Sequence, residues 1–258
     1  MKKRVKGFMQ YRFLLGQLVK KGIKLKYRRS YLGIVWSLLE PLLTMIVLTL
    51  IFGELLGKGD KTYPVYVLSG RLLYTFFNLG TTTALKSIRN NAGMIKKVYI
   101  PKYLYPLAGV LFNYIIFLIS LIVLVAVGAV LGIRPTIYLI QAVIPLAVLF
   151  LLTMGFGMIL ATVGVFFRDM EYLWGVVSML IMYASAIFYH PEKILQGRKG
   201  FILKLNPLFG VIHNFRSAIF GEPMYMKYLW YSLGVSVFCL IVGCIMFYRK
   251  QDEFILNI

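Results

Sequence analysis

The chain has 258 residues, of which 60% are hydrophobic and only 15% charged, and its mean hydropathy is +0.78. Soluble domains average about 45–50% apolar and about 25% charged residues, so this composition excludes a water-soluble enzyme and a disordered chain and indicates an integral membrane protein. The net charge of +20 would suggest nucleic acid in a soluble protein, but here much of it flanks long apolar runs, and two Cys and two His are too few for a disulfide framework or a metal site.

The N-terminal segment 7–30 is predicted to form an amphipathic helix in the membrane interface, with its apolar side toward lipid. Phe8, Tyr11, Leu15 and Leu18 recur at helical spacing on one face, while lysines and glutamines cluster opposite. No cleavable signal peptide is predicted, because no clean apolar stretch with a cleavage site follows the basic N-terminus. The helix is either an anchor for anionic lipid or a docking platform for a cytoplasmic partner.

Six apolar runs of about 20 residues are predicted to span the membrane. They cover residues 34–56, 63–85, 107–131, 136–167, 172–189 and 225–248. An even number of spans places both termini on one side, and 19 of the 29 Lys and Arg residues fall on that side. Because basic loops stay in the cytoplasm, both termini are predicted to be cytoplasmic. Residues 1–258 are interpreted as one all-α transmembrane domain.

Three residues inside the predicted spans are unexpected at their depth. Arg71 lies about 12 Å along the second span by helix rise, where it either reaches out to the interface or lines a polar pathway. Glu40, at the start of the first span, either reaches the interface or pairs with a nearby cation. Tyr183 lies midway along the fifth span, too deep for the aromatic belt that accounts for most outer tyrosines. It is the first candidate for a channel-lining ring.

Two segments between the spans carry further signals. The loop 90–101 contains a turn signal at Asn91 and Gly93 and can form one or two helical turns before Pro101. It is either a basic cytoplasmic loop or a short helix that transmits a push from a partner. The segment 191–222 is too polar to span and is predicted to form two short re-entrant or interfacial helices separated by Pro207, in preference to an ordinary outer loop.

Functions that need covalent chemistry lack their usual motifs. The sequence contains no G-x-x-x-x-G-K-[ST] phosphate loop, no H-E-x-x-H and no G-x-S-x-G. Acidic residues are nearly absent from the spans, so a proton relay lacks its parts. Active transport would therefore take its energy from another subunit. A lipid-phosphate transferase, for which only Asp169 with Glu171 offers an acidic pair, and a passive channel remain as alternatives.

Four segments, in order along the chain, resemble the ABC-2-type permeases that export polysaccharides, the family of O-antigen and teichoic acid transporters. The segments are YRRSYLGIVW at 27–36 followed by Glu40-Pro41-Leu42, NAGMIKKVYIP at 91–101, Phe167-Arg168-Asp169, and Phe188-Tyr189 with Asn206-Pro207 and Arg216. They resemble the start of that family's first span, its coupling loop, the end of its fourth span and the region after its fifth.

The resemblance implies a channel between two copies of the chain in the bacterial cytoplasmic membrane. Two copies of a separate ATPase subunit, which binds ATP and Mg²⁺, would drive export, and this chain would hold no cofactor, metal or catalytic residue. The substrate would be a lipid-linked polysaccharide, with a small lipid or drug as the alternative within the family. Arg71, where the family often has an apolar residue, favours an anionic substrate, and Ala186 stands where proline is common.

The resemblance also assigns roles to individual residues. Residues expected to dock on the ATPase are Asn91, Gly93, Met94, Ile95, Lys96, Lys97, Val98, Tyr99, Pro101, Arg168 and Asp169. The interface-helix set is Phe8, Tyr11, Leu15, Leu18, Arg28 and Arg29. Channel or substrate contacts are expected of Trp36, Arg71, Tyr74, Phe77, Tyr183, Phe188 and Tyr189. The outer gate helices are expected to depend on Asn206, Pro207 and Arg216.

Overall fold

The computed structural model describes residues 2–28, 30–55, 61–98, 100–197 and 200–258, without the side chains of 2–10, 52–55 and 193. Three predicted site residues lie outside the described residues: the side chain of Phe8, Arg29 and Tyr99. All regular structure in these ranges is helical, as predicted. The α-helices are α1 Lys2–Tyr27, α2 Trp36–Leu55, α3 Tyr63–Asn90, α4 Ala92–Ile95, α5 Leu104–Val130, α6 Val143–Phe166, α7 Met170–Tyr183, α8 Glu192–Gln196, α9 Gly200–Leu205, α10 Pro207–Phe220, α11 Met226–Lys250 and α12 Phe254–Asn257.

Four helical segments of the described chain are long and apolar enough to cross a membrane. They are Gly33–Ile51, Leu104–Val130, Ile137–Phe166 and Met226–Lys250. The 28 residues of α3 are long enough, but this helix carries Arg71, Lys86 and Arg89 and is more polar. The 14 residues of α7 are apolar but short. Four of the six predicted spans are therefore long and apolar enough to cross a membrane. That α3 and α7 also cross it stays a prediction.

Several boundaries differ from those predicted. Helix α3 continues to Asn90 instead of ending at residue 85, and α7 ends at Tyr183 instead of residue 189. The chain turns after α7 because Ala186 adopts a φ of 50°, which α-helical geometry does not allow. The predicted start of the fourth span forms a short 3₁₀ helix, Ile137–Ala142, so Pro145 lies in the first turn of α6, where proline is tolerated.

The core of the bundle is formed by α3, α5, α6 and α11. Helix α6 packs along α11, and α3 packs along both α5 and α6. Two glycines let α6 and α11 approach closely: a Cβ on Gly155 would lie 2.7 Å from the backbone nitrogen of Leu240, and one on Gly243 would lie 2.9 Å from the Cβ of Met158. No side chain fits at either contact, so these four helices form one tightly packed unit.

The apolar face of α1 packs against protein, which corrects the prediction that it faces lipid. Leu15 and Val19 are buried against Leu104 and Ala108 at the start of α5, and Tyr11 and Leu18 pack beside them. Phe13, which interrupts the predicted stripe, is 77% exposed instead. A helix that lies on the bundle must use its apolar stripe for the protein contact, leaving the residues beside the stripe for the membrane.

The bundle has two ends that differ in character. One end, called the terminal end here because the first and last helices lie there, carries α1, α4 and α12. The start of α5 and the ends of α6 and α11 lie at the same end. The opposite end carries α8, α9 and α10 beside the start of α3. The segment predicted to form two gate helices thus forms three, and Pro207 begins α10. The C-terminal tail that follows α11 includes the short helix α12.

Candidate functional site

The loop predicted to couple to a partner projects from the terminal end. Asn91 ends α3 and donates a hydrogen bond from its side chain to the carbonyl of Ser87 at 2.8 Å. The single turn of α4 then buries Ile95 and half-buries Met94, which fixes the loop to the bundle. Among the described residues of the predicted docking set in this loop, Gly93, Lys96, Lys97 and Val98 are exposed, whereas Pro101 is half-buried. This part of the predicted docking set therefore presents two cations and one apolar side chain to a partner.

The C-terminal helix completes the surface around this loop, which the sequence analysis did not predict. Phe254 is fully buried, with its ring centroid 5.1 Å from that of Phe247 and 5.9 Å from that of Phe166. Lys96 donates to the carbonyl of Ile258 at 2.6 Å. The sequence signal was the apolar set Phe254, Ile255 and Leu256 in an otherwise polar tail. The loop and the tail thus form one continuous surface.

The turn after α6 presents Arg168 and Asp169, both exposed. The acid that forms ion pairs here is Glu171, in the first turn of α7. Its carboxylate lies 2.9 Å from the Nζ of Lys86 and also pairs with Arg89, so it joins α7 to the end of α3. The acidic pair considered for a transferase is therefore split, because Glu171 is committed to two cations. The described residues contain no cluster of three metal-ligating side chains.

Arg216 forms a clasp at the opposite end, linking α10 to α3 and to the turn after α7. Its guanidinium donates to the carbonyls of Tyr66 at 2.9 Å, Ala186 at 2.9 Å and Ile187 at 3.1 Å. The ring of Tyr66 covers the Cζ at 3.5 Å, and Ser69 lies within reach of Nε. Burial lowers the pKa of Arg216 to about 10, so the side chain stays charged at neutral pH.

Asn206 and Pro207 provide the second link in this region. The side-chain oxygen of Asn206 accepts from the backbone nitrogen of Leu208, and Pro207 occupies the first turn of α10, so the pair begins the helix. The amide nitrogen of Asn206 donates to the carbonyl of Ala184 and to the hydroxyl of Ser185. The three predicted gate residues, Asn206, Pro207 and Arg216, therefore lie around the backbone turn at residues 184–187.

Arg71 lies where α3 meets α7, beside a small cavity with a mixed polar and apolar lining. Its Nη1 is 3.4 Å from the sulfur of Met182, and its Cζ lies 5.8 Å from the centroid of the Tyr74 ring. The adjoining cavity is also lined by Glu40 and Lys26, which lie on other helices. Arg71 thus borders a small cavity within the bundle, and whether it lines a pathway for the substrate stays a prediction.

The predicted channel aromatics fall into two groups. Phe77 is 1% exposed and Tyr74 is 5% exposed, with the Tyr74 hydroxyl donating to the carbonyl of Ser178. Both rings therefore pack inside the chain and not on its surface. Trp36 and Tyr183 are exposed, and Phe188 and Tyr189, which both contact Tyr183, are half-buried. Of the predicted aromatics, only this second group presents ring surface on the single chain, and contact with a substrate stays a prediction for all of them.

These features define a helical integral membrane protein with an exposed basic loop at one end and a helical cap at the other. The family described as "ABC-2 type transporter" matches residues 14–220. The chain therefore belongs to the ABC-2 type transporter membrane family.

Three relatives are similar to the chain over nearly their whole length. The chain is 27% identical over 253 residues to the O-antigen export system permease protein RfbA of Myxococcus xanthus, covering 97% of each chain. It is 24% identical over 259 residues to the polysialic acid transport protein KpsM of Escherichia coli, covering 97% of this chain and 98% of that one. It is 20% identical over 240 residues to the capsule polysaccharide export inner-membrane protein CtrC of Neisseria meningitidis, covering 89% and 88%.

Proposed function

We propose that the chain is the permease subunit of an ATP-driven exporter of a lipid-linked surface polysaccharide across the bacterial cytoplasmic membrane. The observation that carries the proposal is its end-to-end similarity to permeases named for O-antigen, polysialic acid and capsule export. The opposite end of the bundle faces outward, and the terminal end faces the cytoplasm. The chain moves the polymer without covalent chemistry, and ATP and Mg²⁺ bind to a separate subunit.

The surface formed by α4 and α12 docks the ATPase subunit in this proposal. Lys96 and Lys97 supply exposed positive charge, and Val98 is 54% exposed at the same place. Ile95 and Phe254 belong to one buried cluster that also includes residues of α3, α6 and α11. A push on α4 is therefore delivered to the core of the bundle, because closely packed side chains transmit displacement.

A second copy of the chain completes the channel. Only 11% of the most apolar window of Gly33–Ile51 is buried within the chain, compared with 50% for Ile137–Phe166. Helix α7 likewise buries only Trp174 and Ser178. These two helices carry the exposed rings of Trp36 and Tyr183. A seam formed by α2 and α7 of two copies would present these rings to a polymer.

The docking proposal is tested by affinity purification from native membranes. Tagged wild-type chain is expected to retain a subunit with a phosphate loop, and the Lys96→Glu/Lys97→Glu variant is expected to lose it, because reversal replaces attraction with repulsion at an exposed surface. The Lys204→Glu/Lys227→Glu variant is the matched control, since both lysines are exposed at the opposite end. A wild-type chain that purifies without any ATPase contradicts the proposal.

The seam is tested by oxidative cross-linking in a background without Cys239 and Cys244. Tyr183→Cys is expected to give a cross-linked pair of chains, and Val130→Cys, which is 85% exposed at the end of α5, is not. Cross-linking at position 130 alone would place the contact on another face.

A further inference from the structure

A second cavity opens at the opposite end of the bundle and lies within a single copy of the chain. Its volume is about 500 Å³, which is within the range of about 300–1,000 Å³ that is common for small-molecule sites. The first turn of α3, α8, α10 and the start of α11 enclose it. It is therefore separate from the α2 and α7 surfaces to which the proposed function assigns the polymer channel.

Aromatic rings form much of the wall of this cavity. The ring centroid of His213 lies 4.6 Å from that of Tyr225, 5.7 Å from that of Tyr228 and 5.5 Å from that of Phe209. These rings hold one another at fixed tilts. Aromatic faces carry partial negative charge, and the C–H groups on one face of a pyranose carry partial positive charge. A wall of this kind therefore suits a sugar ring stacked against it.

Among the described residues that line the cavity, the charged side chains are Glu192 and Glu222, which are negative, and Arg216, which is positive. Glu192 and Glu222 line it and are exposed. Burial lowers the pKa of His213, so this ring is neutral at pH 7. The guanidinium of Arg216 also borders the cavity, but it donates to backbone carbonyls and is covered by Tyr66. Carboxylates accept hydrogen bonds from hydroxyl and ammonium groups and repel other carboxylates.

We propose that this cavity binds one hexopyranose residue of a glycan, either neutral or bearing an amino group, and excludes acidic sugars. The inference rests on the proposed function, because export at this membrane brings glycan to the outer end of the chain. The sugar comes from one of two sources, the polymer that the chain exports or glycan already outside the membrane. The preference concerns this cavity alone and is separate from any selection of cargo by Arg71.

The test uses the full chain in lipid nanodiscs and saturation-transfer NMR with glucosamine, glucose and glucuronic acid as probes. Glucosamine and glucose are expected to bind, and glucuronic acid is not. Tyr228→Ala is expected to weaken the binding of both sugars by about tenfold, which corresponds to the loss of one stacked ring. Trp230→Ala is the matched control, because this ring on the same helix is 65% exposed and does not line the cavity.

A second variant tests the charge and does not endanger the fold. Glu192→Gln/Glu222→Gln alters two exposed side chains, so the cavity keeps its shape. Glucose is expected to bind as before, glucosamine to bind more weakly than it does to the wild-type chain, and glucuronic acid to become a ligand. If the double variant leaves all three affinities unchanged, the proposal is overturned.

Other outcomes separate the alternatives. If phosphoethanolamine binds and no sugar does, the cavity holds a lipid headgroup and the proposal is overturned. Binding of glycan extracted from the surface of the native cell but not of dextran supports the first source, and equal binding of dextran supports the second. ATPase co-purification is scored in the same preparations. An ATPase without sugar binding overturns this inference alone, whereas absence of the ATPase overturns the proposed function.

Discussion

Replacement of Arg216 by methionine tests whether its guanidinium holds α10 in place. The side chain is 6% exposed and bonds the carbonyls of Tyr66, Ala186 and Ile187. Hydrogen bonds to a charged group contribute about 1.5–3 kcal/mol each, or about 4.5–9 kcal/mol for three carbonyls. Methionine recovers several kcal/mol because no charge is buried. We therefore expect the free energy of unfolding to fall by about 2–4 kcal/mol, which lowers the Tm by about 4–16 °C.

The assay is thermal melting of the purified chain at one fixed heating rate, since membrane proteins in detergent unfold irreversibly. Arg216→Lys is expected to melt between wild type and Arg216→Met, because an ammonium keeps the charge but lacks the planar fork that reaches separate carbonyls. Arg134→Met is the control, since Arg134 is exposed between α5 and α6. If Arg216→Met melts together with Arg134→Met, the clasp does not stabilise the chain and the reasoning is refuted.

Three further predictions concern other contacts. Gly155→Ala is expected to lower the free energy of unfolding by about 1–3 kcal/mol, because its Cβ would meet the backbone of α11. Gly175→Ala is expected to be neutral or stabilising, because nothing lies within 4 Å of the added Cβ. Equal melting of the two variants would contradict the close α6–α11 contact. Glu171→Gln is expected to lower the free energy of unfolding by about 1 kcal/mol at low salt and by less at high salt, because the ion pairs with Lys86 and Arg89 are partly exposed and screened. A loss of stability that melting shows to be independent of salt would exclude the ion pairs as its cause. Phe254→Ala is expected to raise amide hydrogen exchange in residues 251–258 without lowering the Tm of the bundle, because a terminal helix opens locally. Leu256→Ala, at an 86% exposed position, should leave the exchange unchanged. Protection that survives Phe254→Ala would show that this ring does not hold α12.

The positions of the long helices could be predicted because each apolar run is bounded by charges or turn residues. The loop at Asn91, the break at Phe167-Arg168-Asp169 and the start of α10 at Pro207 were predictable for the same reason: each contains a residue that stops or starts a helix. The end of α7 at Tyr183 was not predictable, because the apolar run continues through the turn. That turn depends on Arg216, which lies far away in sequence.

The burial of individual rings could not be predicted from the sequence. Lipid tails are as apolar as a protein core, so a membrane helix is apolar on its lipid face and its packed face alike. Periodicity therefore does not separate Phe77, which is buried, from Tyr183, which is exposed. The amphipathic α1 shows the converse: Tyr11, Leu15 and Leu18 of its predicted stripe pack against the bundle, but the pattern could not say whether protein or lipid covers them.

The uneven packing of the bundle has a consequence for how such permeases diversify. Gly155 and Gly243 have no room for substitution, so the α6–α11 contact tolerates little drift. The outward faces of α2 and α7 touch little of their own chain, and changes there leave the folding of the bundle intact. Mutations on these faces can therefore accumulate at low cost to stability. Within one unchanged scaffold, the faces of α2 and α7, which the proposed function places along the channel, are free to vary from one relative to the next.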